Sequence, residues 1–190
     1  MPPSPTDPIR LKLAAVADGL DNAYGPRRWR RHGPPLEELI ATVLSQHTSD
    51  TNTARAFRSL KAAFPDWEAV RVAATPAVAD AIRSGGLAQI KAPRIQAILD
   101  AILAERGALN LDHLDDLPLP EAKRWLLKLN GVGPKTAACV LLFSLGKPAL
   151  PVDTHVHRVA KRIGLIGPKV SAEAAHEALE SGLGGDAARV

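Results

Sequence analysis

LLKLNGVGPKTAACVLLFSLGKPALPVDTHVHRVAKRIGL, residues 126–165, is the stretch that decides the fold. One helix ends at Leu129-Asn130 and a second begins at Pro134-Lys135, proline being suited to a first helical turn. Between them sits Gly131-Val132-Gly133. Two glycines separated by one residue allow backbone angles that side chains forbid. Successive amides can then converge, and the following helix N-terminus adds partial positive charge, which makes a phosphate site without a charged side chain. Such a site grips a backbone without reading sequence. Taken alone, the three residues fit a plain turn between packed helices better than a phosphate site.

Lys135 falls in the first turn of the second helix, where the helix dipole opposes an ammonium. Burial against the apolar face of Ala138, Val140, Leu141 and Leu142 pushes the same way, and a free amine is a nucleophile. The helix over 134–145 rises roughly 18 Å. Gly146 to Val152 contains glycine and prolines that end it, and fully extended it spans roughly 23 Å. The chain can therefore return and set Asp153 beside Lys135. Asp153 also suits the N-cap of a helix over Thr154–Ile163, and read by itself it is a cap before it is a catalyst.

Leu129, Gly131, Val132, Gly133, Lys135, Thr136 and Ala137, followed by Val152-Asp153-Thr154-His155, resemble the paired motif of the helix-hairpin-helix (HhH-GPD) DNA glycosylase superfamily, and most closely its endonuclease III branch. Upstream, Leu44-Ser45-Gln46-His47-Thr48 is similar to the family's Q-x-T element. The similarity runs from about Leu36 to the end of the helix after Asp153. It implies Lys135 as nucleophile at C1′ of the deoxyribose and Asp153 as the carboxylate that stabilises the oxocarbenium-like transition state. It further implies DNA contacts at Gln46, Gly131, Val132, Gly133 and Thr136, with Gln46 filling the gap left by a flipped base. Asn130 replaces the hairpin's usual proline, and Ser49 stands where the branch commonly has aspartate. Many relatives hold a [4Fe-4S] cluster on four cysteines beyond this point. This chain stops at Val190 and has one cysteine, Cys139, so no cofactor and no metal is expected in it. A truncated product and a cluster-free variant both fit.

Outward from the motif the chain reads as helical. Leu11, Leu13, Val16, Ala17 and Leu20 form a short apolar pattern after a Pro-rich start expected to be loose. The basic run RRWRR at 27–31 either touches phosphate or is a solvated loop. From Pro35, Leu36, Leu39, Ile40, Val43 and Leu44 recur at helical spacing. Ser49 and Asp50 suit the start of a helix carrying Ala54, Phe57, Leu60 and Phe64. Thr75-Pro76 opens a further helix, and Ile95, Ile98, Leu99, Ile102 and Leu103 mark a long one ending at Gly107. No segment alternates like a half-buried strand. His155 and His157 do not share a helix face, and Cys139 reads as a small core residue.

The 190 residues bound one globular unit or two small subdomains. The net charge of +4 mildly favours an anionic partner, whereas 4% aromatic content argues against a platform stacking several bases. No stretch approaches the roughly 18 apolar residues of a membrane span, and the start lacks a secretory pattern; a cytoplasmic, nucleoid-associated protein is expected.

These readings predict an all-α fold of two helical subdomains. A barrel with the hairpin covers 35–136, the helix-hairpin-helix itself lying at 121–145. The segment 1–34 packs with 137–190. A monomer is expected to bind duplex DNA bearing a damaged base or abasic site in the cleft between the subdomains. The expected function is base-excision repair: a glycosylase with lyase activity, the guess for its lesion being oxidised pyrimidines. A monofunctional glycosylase and a non-catalytic helix-hairpin-helix module remain open.

Overall fold

The computed structural model describes residues 8–26 and 28–183. The Pro-rich start, Arg27 of the basic run and the final residues 184–190 lie outside the described residues. Among those described, all regular structure is helical: α1 (Pro8–Tyr24), α2 (Pro35–Ser45), α3 (Asp50–Ala63), α4 (Trp67–Val72), α5 (Thr75–Ala81), α6 (Ala88–Arg106), α7 (Leu119–Leu127), α8 (Pro134–Cys139), α9 (Thr154–Arg162) and α10 (Ala172–Leu183). None of these helices is long and apolar enough to cross a membrane.

The expected helix ends hold where a cap dictates them. Ser49 accepts from Asn52 N–H at the start of α3, and Gly107, in the left-handed region at φ 70°, ends α6. Three readings change. α6 begins at Ala88, well before the Ile95 stripe and through Pro93, because Leu87 turns the chain at φ 50° and Lys91 buries itself in the second turn. On α3, Ala56 rather than Ala54 faces inward beside Leu60. On α1, Leu13 and Ala17 are buried while Leu11 and Leu20 stay exposed, since only one side of that helix meets another element.

Two apolar clusters form. The larger gathers α2 to α8 and runs from Leu36 to Ala149, so the core of the expected barrel continues past 136 through Ala137, Ala138, Val140 and Leu141. The smaller joins Leu13 of α1 to Val152, Ala160, Ile166, Ala175, Leu179 and Leu183. Gly182 permits this pairing of chain ends, because a Cβ there would stand 2.7 Å from Leu13 Cδ1.

The helix expected over 134–145 keeps its extent but not its geometry. After Cys139 it widens into a π-helical segment, Val140–Ser144. Outside partners hold this segment: Trp29 Nε1–H donates to the Leu142 carbonyl at 2.7 Å, and His32 N–H donates to the Phe143 carbonyl at 3.0 Å. The His32 ring stacks on Phe143 at 4.8 Å.

Candidate active site

The hairpin needs one glycine for its backbone, not two. Gly131 lies at φ 82°, a region that side chains rarely adopt, and a Cβ there would stand 2.4 Å from Arg94 Cδ. Gly133 lies at φ −93°, ψ 177°, which any residue adopts. Val132 sits between the two glycines. Its side chain is buried in the larger cluster, and its N–H already donates to the Leu129 carbonyl at 3.0 Å; it anchors the turn. The amides of Gly131, Gly133, Lys135 and Thr136 meet no acceptor among the described residues, as the first-turn groups of a helix must unless something caps them.

A cavity of about 450 Å³ opens beside the hairpin. Gln46 from the end of α2, Gly133, Lys135 and Thr136 line it together with Val152 and, from α10, Glu173 and His176. Four of the sequence-predicted residues thus share one space. Asp153 follows Val152 directly. Its Oδ1 accepts from His155 N–H at 2.9 Å and Val156 N–H at 2.8 Å, so the capping role is realised and one carboxylate oxygen is committed to it. No ion pair within 4.0 Å joins Asp153 to Lys135 among the described residues.

The electrostatics nevertheless gather these groups around the thiol of Cys139, one turn beyond Lys135. Burial pushes that thiol up; Lys135 opposes the shift, whereas Glu38 and Asp153 reinforce it. Glu38 is a second carboxylate near the amine that the motif did not announce. Burial raises its carboxyl above the usual range, against the pull of His32, 3.5 Å away, and of Lys135.

Three further groups escaped sequence reasoning. Lys91 is 1% exposed. Its Nζ donates to the carbonyls of Leu44 at 2.7 Å and Gly85 at 2.8 Å. It therefore ties the loop carrying Gln46 to the loop before α6. A signal for it existed: 91, 95, 98 and 102 form one helical stripe. Arg94 NH1 donates to Gln46 Oε1 at 3.0 Å. The third group grips the return segment. Glu180 Oε1 accepts from Leu150 N–H at 3.1 Å, and Oε2 pairs with Lys123 at 2.7 Å. His176 Nδ1 meets the Leu150 carbonyl at 3.0 Å, and burial pushes its imidazole down. Lys123 on α7 and two side chains of α10 thereby fix the return segment that delivers Asp153.

A four-thiolate cluster does not fit the residues present. The sequence holds a single thiol, Cys139, and it is buried.

Comparison with known proteins adds to this geometry. Over 136 residues the chain is 46% identical to a putative DNA glycosylase of Arabidopsis thaliana, covering 72% of this chain and 46% of that protein. Over 139 residues it is 38% identical to Endonuclease III of Thermotoga maritima, covering 73% of this chain and 61% of the relative. The chain thus spans about half the length of these relatives. A solved structure of a trapped Endonuclease III–DNA covalent intermediate superposes with a TM-score of 0.74 at 27% identity, over 95% of this chain and 83% of that one. The family model described as HhH-GPD superfamily base excision DNA repair protein matches residues 40–184. With its hairpin, its Lys135 cavity and its all-helical fold, the chain belongs to the HhH-GPD superfamily of base excision DNA repair proteins.

Proposed function

We propose that the chain is a base-excision DNA glycosylase with abasic-site lyase activity, acting as a monomer on duplex DNA, with oxidised pyrimidines as its lesion class. The observation that carries this reading is that Lys135 and Gln46 line one cavity beside the unpartnered amides of the hairpin. Those amides suit a phosphate of the strand. DNA then lies across the cavity mouth, between the two clusters. The target base leaves the stack, and Gln46 fills the gap.

Lys135 Nζ, unprotonated, forms a bond to C1′ as the C1′–N bond to the base breaks, and the base departs with a proton. The carboxylate of Asp153 offsets the positive charge that develops on the sugar. Opening of the sugar ring leaves an iminium between Lys135 and C1′. Removal of a C2′ proton then expels the 3′ phosphate. The likeness to Endonuclease III, one of whose complexes with DNA was trapped covalently, supports the amine route. A monofunctional glycosylase is the second reading. It draws on the absence of a close Lys135–Asp153 pair, because there Asp153 would activate water without an amine intermediate.

Borohydride reduction with abasic-site duplex tests the choice. The expected result is a covalent protein–DNA adduct that Lys135→Gln abolishes while binding barely changes. Base release from a second duplex that carries an oxidised pyrimidine, without an adduct on either duplex, would leave the monofunctional reading, and binding with neither would leave a non-catalytic module.

A further inference from the structure

Arg94 stands where the two DNA-facing features meet. Its guanidinium NH1 donates to Gln46 Oε1 at 3.0 Å. Its stem crosses Gly131 so closely that a Cβ there would stand 2.4 Å from Cδ and 2.6 Å from Nε. The side chain is half-buried, and no carboxylate pairs with it among the described residues. Arginine carries only donors. The carboxamide facing it must therefore turn its oxygen inward, which leaves the NH2 group free on the other side. Carboxamides are otherwise indifferent to such a flip.

We infer that Arg94 is the positioning residue for Gln46, fixing the plug as a hydrogen-bond donor toward the base left without a partner. The inference rests on the proposed role of Gln46 and deepens it. A free glutamine samples several rotamers, and holding it costs side-chain entropy when the gap must be filled. Arg94 meets that cost in the free protein, and the plug arrives oriented. The orphan base presents a ring nitrogen or carbonyl acceptor on its pairing edge, which a donor matches. The contact with Gly131 adds coupling: the side chain that orients the plug is seated on the turn that holds the strand. Gly131 is thus glycine for two reasons, its backbone angle and this clearance.

The test separates plug insertion from grip. A duplex carries a tetrahydrofuran abasic analogue opposite 2-aminopurine. Binding is read by anisotropy, and insertion by the change in 2-aminopurine fluorescence. Wild type should bind and change the signal. Arg94→Met keeps an apolar stem on Gly131 and should bind near wild-type strength. Its insertion equilibrium should fall by about tenfold, the loss expected for one charge-assisted hydrogen bond. Arg94→Lys, which retains a donor, should recover part of the signal. Gln46→Ala should match Arg94→Met, and the double variant should be no worse than either, because the two residues act as one unit. An unchanged signal in Arg94→Met, or losses that add in the double variant, overturns the inference and leaves the proposed function standing. Wild-type binding without any signal change overturns the plug role and this inference together. A folded wild type that does not bind the duplex overturns the functional reading as well.

Discussion

At the scale of single residues, the site combines groups that the motif names with groups that only the fold reveals. Asp153 shows how the two meet. Its carboxylate caps α9 through Oδ1 and carries the charge that the proposed chemistry needs, and substitution separates these jobs. Asp153→Asn keeps an oxygen for the cap, so base release should collapse while the melting temperature holds. Asp153→Ala removes the cap too and should cost a further ~1 kcal/mol of stability. Equal melting temperatures for the two variants, measured by calorimetry, would remove the cap from the account. The positions of Lys135, Gln46 and Gly131 were legible because each is tied to a local element: a helix start, a loop, a turn. Lys91 and Arg94 were not, because a cation in a helical repeat reads as solvent-facing. Lys91 turns inward only because the Leu44 and Gly85 carbonyls, far apart in the chain, converge on its amine.

Elements were legible wherever a cap or an apolar stripe had no competing reading. α2 follows its Leu36, Leu39, Ile40, Val43 and Leu44 stripe throughout. The widened segment Val140–Ser144 was not legible, because an apolar run lacks any mark of how its carbonyls will be shared. Here the partners decide: Trp29 takes the Leu142 carbonyl, and its ring covers Gly146 at 3.3 Å from where a Cβ would stand. Residues 28–31 of the basic run thus owe part of their place to the tryptophan rather than to charge. Trp29→Phe keeps a ring over Gly146 and loses the donor. It should destabilise the protein by ~1 kcal/mol, seen as a lower urea midpoint with an unchanged slope. Amide exchange should quicken most between Val140 and Gly146; uniform quickening would mean that Trp29 acts on the whole fold instead.

For the whole molecule, stability should depend on pH through buried histidines. Burial pushes the imidazoles of His176 and His113 down. In the unfolded chain they take protons near pH 6.5, while in the fold they resist until the pH is lower. The unfolded state then binds more protons across that window, and stability is lost as pH falls below about 6.5. Glu38 works the other way. Its raised carboxyl lets the fold hold a proton that the unfolded chain releases, so acidification below that raised value returns some stability. Urea midpoints of His176→Gln should fall less steeply than wild type as the pH drops below about 6.5. A slope equal to wild type would place the acid sensitivity elsewhere. His176 also grips the return segment at Leu150, so the same variant reports on how firmly Asp153 is delivered.

The smaller cluster joins the beginning of the described chain to its end, α1 against α10. A ribosome makes these helices far apart in time. Roughly 150 residues separate them, which is on the order of ten to thirty seconds of synthesis. During that interval α2 to α8 can close around the larger cluster, while Leu13 and Ala17 have nothing to cover them. The Glu173 and His176 that line the cavity are made after all of these. A nascent chain would therefore carry the hairpin and Lys135 in finished surroundings before it carries an anchored Asp153, and the chemistry proposed for the pair could not begin before α10 is made.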